Sequence, residues 1–181
     1  MNLQESVSYL NDCCKAAVDS IPKENVDNFV DLLMRKDKIF IYGSGRSGLI
    51  GQLFAVRLVQ MGFDVFFVGD MTTPIIGKND LTILISNTGH TVSVVRTADI
   101  ARRIGSHVVS ITAAPTSKLA HISNSNIILN IKKDEKASSL APLGTIFEDS
   151  VLLFLDSLVP VLMRKMSVSE GDMRKNHAIW V

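Results

Sequence analysis

Two cysteines in 181 residues, and those two adjacent, leave little scope for covalent or metal stapling. Cys13 and Cys14 are neighbours that cannot easily bridge each other, and no Cys-x-x-Cys spacing exists for zinc or redox chemistry. They read as two reduced thiols on a first helix. An excess of one charge is missing too, with 19 Lys and Arg against 18 Asp and Glu, a formal net charge of +1. That argues against a nucleic-acid binder built on a basic face, because affinity for a phosphate backbone needs clustered Lys and Arg. Arg102–Arg103 and Lys132–Lys133 read as solvated faces. No apolar run reaches the roughly 18 residues that span a bilayer. The longest, residues 151–163, is interrupted by Asp156, Ser157 and Pro160. Gln4, Glu5 and Asp12 stand where a signal peptide would carry a basic and then an apolar segment, so a cytoplasmic protein is expected.

What the chain does have is apolar character: 46% of its residues are hydrophobic, and its mean hydropathy is positive. Part of that apolar surface is expected between subunits. The length suits one domain, residues 1–181, with residues 1–36 as N-terminal helices. Leu3, Val7, Leu10, Cys14, Ala17 and Ile21 recur at helical spacing. Pro22 then opens a second helix whose apolar face is Val26, Phe29, Val30 and Leu33. After that the pattern changes. Short runs rich in β-branched and aromatic residues appear at 38–43, 65–68, 81–86, 108–112 and 127–131. They are continuous rather than alternating, as expected for strands covered on both faces. Helical stretches at 49–61 and 92–104 lie between them, which predicts an α/β fold with a five-stranded parallel sheet between helical layers. A long helix near 146–166 closes the domain, with Pro160 inside it. Proline there removes the bond to the Asp156 carbonyl and is expected to kink or divide the helix. A short tail follows, ending at His177 and Trp180.

Gly43-Ser-Gly-Arg-Ser-Gly48 sits between a strand and a helix and satisfies G-x-G-x-x-G. Glycines let the backbone approach an anion closely, and the unpaired N–H groups of the next helix favour negative charge. One reading is a dinucleotide site, with Asp70 as the candidate ribose partner. Against it stand the polar side chains of Ser44, Arg46 and Ser47, the lack of length for a separate substrate domain, and a second loop of the same kind. That loop is Ser86-Asn-Thr-Gly-His-Thr91, where Ser86, Thr88 and Thr91 offer hydroxyls around Gly89 and Thr91 is a candidate helix cap. In a sheet of order 2-1-3-4-5 both loops fall at the switch point between strands one and three, the expected ligand crevice. The pairing points to the phosphate of a small phosphosugar.

These residues resemble the sugar isomerase (SIS) domain, whose phosphosugar loop has the form Ser-x-Ser/Thr-Gly-x-Thr. Within that superfamily the chain is similar to the 6-phospho-3-hexuloisomerases. The likeness lies in Ile41-Tyr-Gly-Ser-Gly-Arg-Ser-Gly48, Phe67-Val-Gly-Asp-Met-Thr-Thr-Pro74, Pro142-Leu-Gly-Thr-Ile-Phe-Glu148, residues 152–156 and the late His177. The resemblance implies interconversion of D-arabino-hex-3-ulose 6-phosphate and fructose 6-phosphate in the ribulose monophosphate pathway, no cofactor, and a homotetramer. It implies that Ser47 and the 86–91 loop hold substrate and that Glu148 is the catalytic base. The chain departs from the family at His90, where members more often carry Glu or Arg, and at Pro160.

Moving a ketone from C3 to C2 removes a proton at C2 and returns one at C3 through a 2,3-enediol, a task suited to a carboxylate. Glu148 opens an apolar helix and fits that role; a carboxylate favoured by a helix dipole is the other explanation of its place. His177 is a candidate to shuttle protons or assist ring opening, from its own or a neighbouring subunit, or else a surface histidine. The substrate-binding candidates are Gly45, Arg46, Ser47, Ser86, Asn87, Thr88, Gly89, His90 and Thr91. Arg46 contacts either phosphate or an acidic partner at an interface. His107 and His121 look structural, and no pair of His, Asp or Glu forms a recognisable metal site. The alternatives are a phosphosugar-sensing SIS domain without catalysis and an aldose–ketose isomerase for another sugar phosphate. A DNA-binding partner domain would be expected of a sensor, and nothing before Lys38 has a basic recognition helix.

Overall fold

The computed structural model describes residues 2–132 and 134–177. Lys133 and Trp180 lie outside the described residues. Five strands, β1 (Ile39–Gly43), β2 (Val65–Phe67), β3 (Leu81–Ile85), β4 (His107–Thr112) and β5 (Ser125–Ile128), form one sheet. Their order is β2-β1-β3-β4-β5, and every pairing is parallel. The expected architecture, helices on both sides of a parallel five-stranded sheet, is what the chain adopts.

The strands alternate within their apolar runs. Ile39, Ile41, Ile83, Ile85, Val109, Ile111 and Ile127 feed one core, while Tyr42, Leu84 and Val108 feed the other. The larger core lies under α1 (Leu3–Asp19), α2 (Lys23–Arg35), α3 (Arg46–Gln60) and α7 (Thr145–Met166). The smaller one lies under α4 (Val92–Ile104) and α5 (Lys118–Ile122). Both faces of the sheet are therefore covered, and this removes any reason for polar alternation along the strands. Because α3 leads from β1 to one side and α4 leads from β3 to the other, the two crossovers part at the β1/β3 boundary and open a crevice there.

Several elements differ from expectation. α3 begins at Arg46, so Arg46, Ser47 and Gly48 form its first turn rather than the end of a loop. Three short helices escape the hydrophobic period: α5, α6 (Ala137–Leu140) and α8 (Glu170–Lys175). α8 is fixed instead by a capping box between Ser169 and Asp172. Pro160 does not divide α7, which runs unbroken from Thr145 to Met166. Asp156 and Pro160 both lie on the exposed side of that helix. Water can therefore serve the carbonyl that the proline leaves free.

The N-terminal helix braces the approach to α7. Ser6 Oγ donates to the Leu140 carbonyl at 2.7 Å, and Tyr9 Oη donates to Asp134 Oδ1 at 2.7 Å. Cys14 Sγ lies 3.8 Å from the Ile146 carbonyl, both cysteines are free thiols, and burial pushes the Cys14 thiol up.

Candidate functional site

The first loop is a contact between a strand end and a helix start. A Cβ on Gly48 would stand 2.5 Å from the Gly43 carbonyl oxygen, and one on Gly43 would stand 2.9 Å from the Gly48 nitrogen. Neither position has space for a side chain. Gly45, between them, has φ 60° and ψ −136°, a backbone open in practice only to glycine. It occupies the N-cap of α3 without a side chain to cap it, and the first turn of α3 holds no acidic residue. The N–H groups and positive dipole end of α3 are thus left to a ligand.

The second loop is built differently. Ser86 is buried; its Oγ accepts from Gly89 N at 3.2 Å and shares a hydrogen bond with Thr91 Oγ1 at 3.2 Å. Thr91 is at the N-cap of α4, but its hydroxyl makes no cap bond, because it is turned back to Ser86. The expected capping role is therefore corrected, and α4 too has an uncapped end with no acid in its first turn. Gly89 has φ 63°, and a Cβ there would fall 2.0 Å from Ser117 Oγ. Ser117, which no sequence pattern marks, is the wall that requires glycine. The Asn87 carbonyl accepts from Ala113 N and Thr112 Oγ1, each at 3.1 Å. Thr88 Oγ1 accepts from His90 N at 3.3 Å, and both residues are exposed. All three expected hydroxyls therefore make hydrogen bonds within the loop, while Thr88 and His90 are exposed.

The third part comes from α7. Glu148 is in its first turn, and its carboxylate, 12% exposed, accepts a hydrogen bond from Arg46 Nε. The same pair pushes the Arg46 guanidinium above its ordinary value. Arg46 thus has an acidic partner, but within the chain. A Cβ on Gly144 would meet Glu148 Oε1 at 3.3 Å and Asn87 Nδ2 at 3.7 Å, so the carboxylate and the second loop's amide border the same small space. Asp149, which sequence reasoning passed over, lies half-buried beside them. Burial pushes its carboxyl up, against the pull of Arg46 and with the help of Glu148.

Arg46, Glu148, Gly144 and Asn87 thus meet at one end of the sheet, with Gly45 and Ser47 at the start of α3 on one side and the 86–91 residues on the other. His177 does not join them within the chain. It is exposed and lines a groove of about 670 Å³ with Val56, Val59, Phe67, Asp70 and Asn176. Asn176 Nδ2 donates to the Gln60 carbonyl at the far end of α3, about 20 Å along that helix from Arg46. Asp70, the candidate ribose partner, shares this groove with His177. His107 Nε2 lies 3.1 Å from Ser125 Oγ, and burial lowers its pKa, helped by Lys36 and Arg102. His121 Nδ1 lies 2.8 Å from the Ser117 carbonyl. Both histidine rings thus have hydrogen-bond partners within the chain. Among the described residues no group of three or more His, Cys, Asp or Glu is placed to hold a metal ion.

Residues 32–156, which hold both loops and Glu148, match the family model of the SIS domain. The chain belongs to the SIS domain family. A 3-hexulose-6-phosphate isomerase of Methanocaldococcus jannaschii is 38% identical over 155 residues, covering 86% of this chain and 83% of that protein. A protein of the same name from Bacillus subtilis is 34% identical over 164 residues, covering 87% of this chain and 88% of the relative. A crystal structure of a hypothetical protein from Methanococcus jannaschii superposes with a TM-score of 0.89 at 32% identity, covering 98% of this chain and 99% of that one. Its authors infer for it a molecular function of 3-hexulose-6-phosphate isomerase.

Proposed function

We propose that the chain is a sugar-phosphate isomerase, and that its reaction is the interconversion of D-arabino-hex-3-ulose 6-phosphate and fructose 6-phosphate. The observation that carries this reading is the position of Glu148, a shielded carboxylate set beside two loops whose helix ends are uncapped. The names of the relatives support the same substrate class.

In this mechanism the phosphate sits against the N-termini of α3 and α4, within reach of Arg46, Ser47, Thr88 and His90. The open-chain ketose then extends towards Glu148 and Asn87. Glu148 takes the proton from C2 while the C3 carbonyl oxygen gains one, which gives the 2,3-enediol. Return of the Glu148 proton to C3, with loss of the O2 proton, forms the 2-ketose. No electrons leave the substrate, and the sequence calls for no cofactor. His177 serves as the proton carrier between the two oxygens, supplied by a neighbouring subunit of a homotetramer in the cytoplasm. Leu49, Leu53 and Val56 form an exposed apolar stripe on α3 that supports such an assembly.

Replacing Glu148 by Gln keeps the side chain's size and removes the base. Glu148→Gln is expected to lower turnover of the hexulose phosphate by about 10²–10⁴-fold, with fructose 6-phosphate binding retained by calorimetry. Turnover near the unsubstituted rate would remove Glu148 from the base role.

A further inference from the structure

The Arg46–Glu148 pair links the residue that faces the phosphate to the residue that takes the proton. Arg46 is the first residue of α3, at the anion-attracting end of that helix, and its side chain is 65% exposed. Glu148 Oε2 accepts from its Nε, and the other carboxylate oxygen lies against Gly144. While the guanidinium holds Oε2, only Oε1, packed beside Gly144, is left to take a proton from carbon. The guanidinium must move before the whole carboxylate can turn to the substrate. A phosphate dianion offers more charge and more acceptor oxygens than a carboxylate, and guanidinium binds it in a fork. Seated at the uncapped ends of α3 and α4, such a dianion competes directly for Arg46.

We propose that Arg46 is a phosphate-operated latch on Glu148, so that the catalytic base is released only when a phosphate dianion draws the guanidinium away. The proposal rests on Glu148 being the base. It assigns Arg46 a specificity role that affinity alone would not give it: a sugar lacking phosphate meets a carboxylate still held at Oε2 and turns over slowly even when bound. Remote binding energy is then used to free the reacting group, a differential effect on the transition state rather than uniform binding.

The experiment uses fructose, which has no phosphate, in deuterated water, with phosphite dianion supplied separately. Deuterium at C3 is followed by NMR. For the unsubstituted protein, phosphite is expected to accelerate exchange roughly 5–150-fold, the ordinary span of a coupling between two sites. In Arg46→Ala the rate without phosphite is expected to rise above the unsubstituted rate, because Glu148 is no longer held, and the phosphite response to fall below about twofold. A merely structural role for Arg46 would not raise a rate. Arg46→Gln is carried alongside, with thermal midpoints for both, so that the conclusion does not depend on one variant's folding. The proposal is overturned if phosphite leaves fructose exchange unchanged in the unsubstituted protein, or accelerates the variants equally. Exchange with fructose 6-phosphate is the control: its absence in the unsubstituted protein would remove the isomerase reading, and the latch with it.

Discussion

At the scale of single residues, the site depends on where side chains are missing as much as on where they stand. Gly89 and Gly144 show two different reasons. Gly89 combines a left-handed backbone with a wall, Ser117, at a distance no Cβ tolerates. Gly144 has φ −96°, which any residue can adopt, so its constraint is the space shared with Glu148 and Asn87. Gly144→Ala should therefore change stability by less than about 1 kcal/mol, since the unfolded chain loses entropy and the Glu148 tip can yield. The same change should displace the carboxylate by a few tenths of an ångström and lower kcat about 10–100-fold, a cost that misplacement of this order brings. Paired denaturation curves and steady-state kinetics check both halves. A stability loss that accounts for the lost activity would contradict this reading of Gly144.

At the scale of elements, the strands were legible because two covered faces make each one an uninterrupted apolar run. α4 was readable from end to end, since its apolar period stops at Gly105, whose φ of 97° ends the helix. The start of α3 was not, because Arg46, Ser47 and Gly48 carry no apolar period and look like loop. β5 begins at Ser125, two polar residues ahead of its apolar run, because half-buried Ser125 and Asn126 find partners in His107 and Ser110 of β4. The pairing of Arg46 with Glu148 joins positions 102 apart in the chain and has no local signature at all. Pro160 was expected to kink or divide α7, and it does not divide it, since Asp156 and Pro160 lie on the exposed side of the helix. Restoring the bond to the Asp156 carbonyl in Pro160→Ala is expected to stabilise the protein by up to about 3 kcal/mol, the usual cost of a proline inside a helix. A denaturant midpoint that rises with an unchanged slope would bear this out, and an unchanged midpoint would mean that α7 has already adapted to the proline.

At the scale of the whole molecule, the fold gathers both loops and Glu148 in one chain but leaves His177 at the other end of α3. If a second subunit supplies His177, two defective variants should rescue each other. Glu148→Gln and His177→Ala, each weakly active alone, are expected to recover turnover when unfolded and refolded together, because a mixed pair contains one intact site. No recovery in mixed oligomers would place His177 outside the shared site. Leu49, Leu53 and Val56 form the exposed apolar stripe on α3 against which such a second subunit would pack. The central claim remains that these loops hold a ketose phosphate while Glu148 moves its proton between C2 and C3. Fructose 6-phosphate in deuterated water tests it most directly. The account predicts deuterium at C3, lost in Glu148→Gln; deuterium at C1 alone, or none while the sugar phosphate still binds, would contradict it.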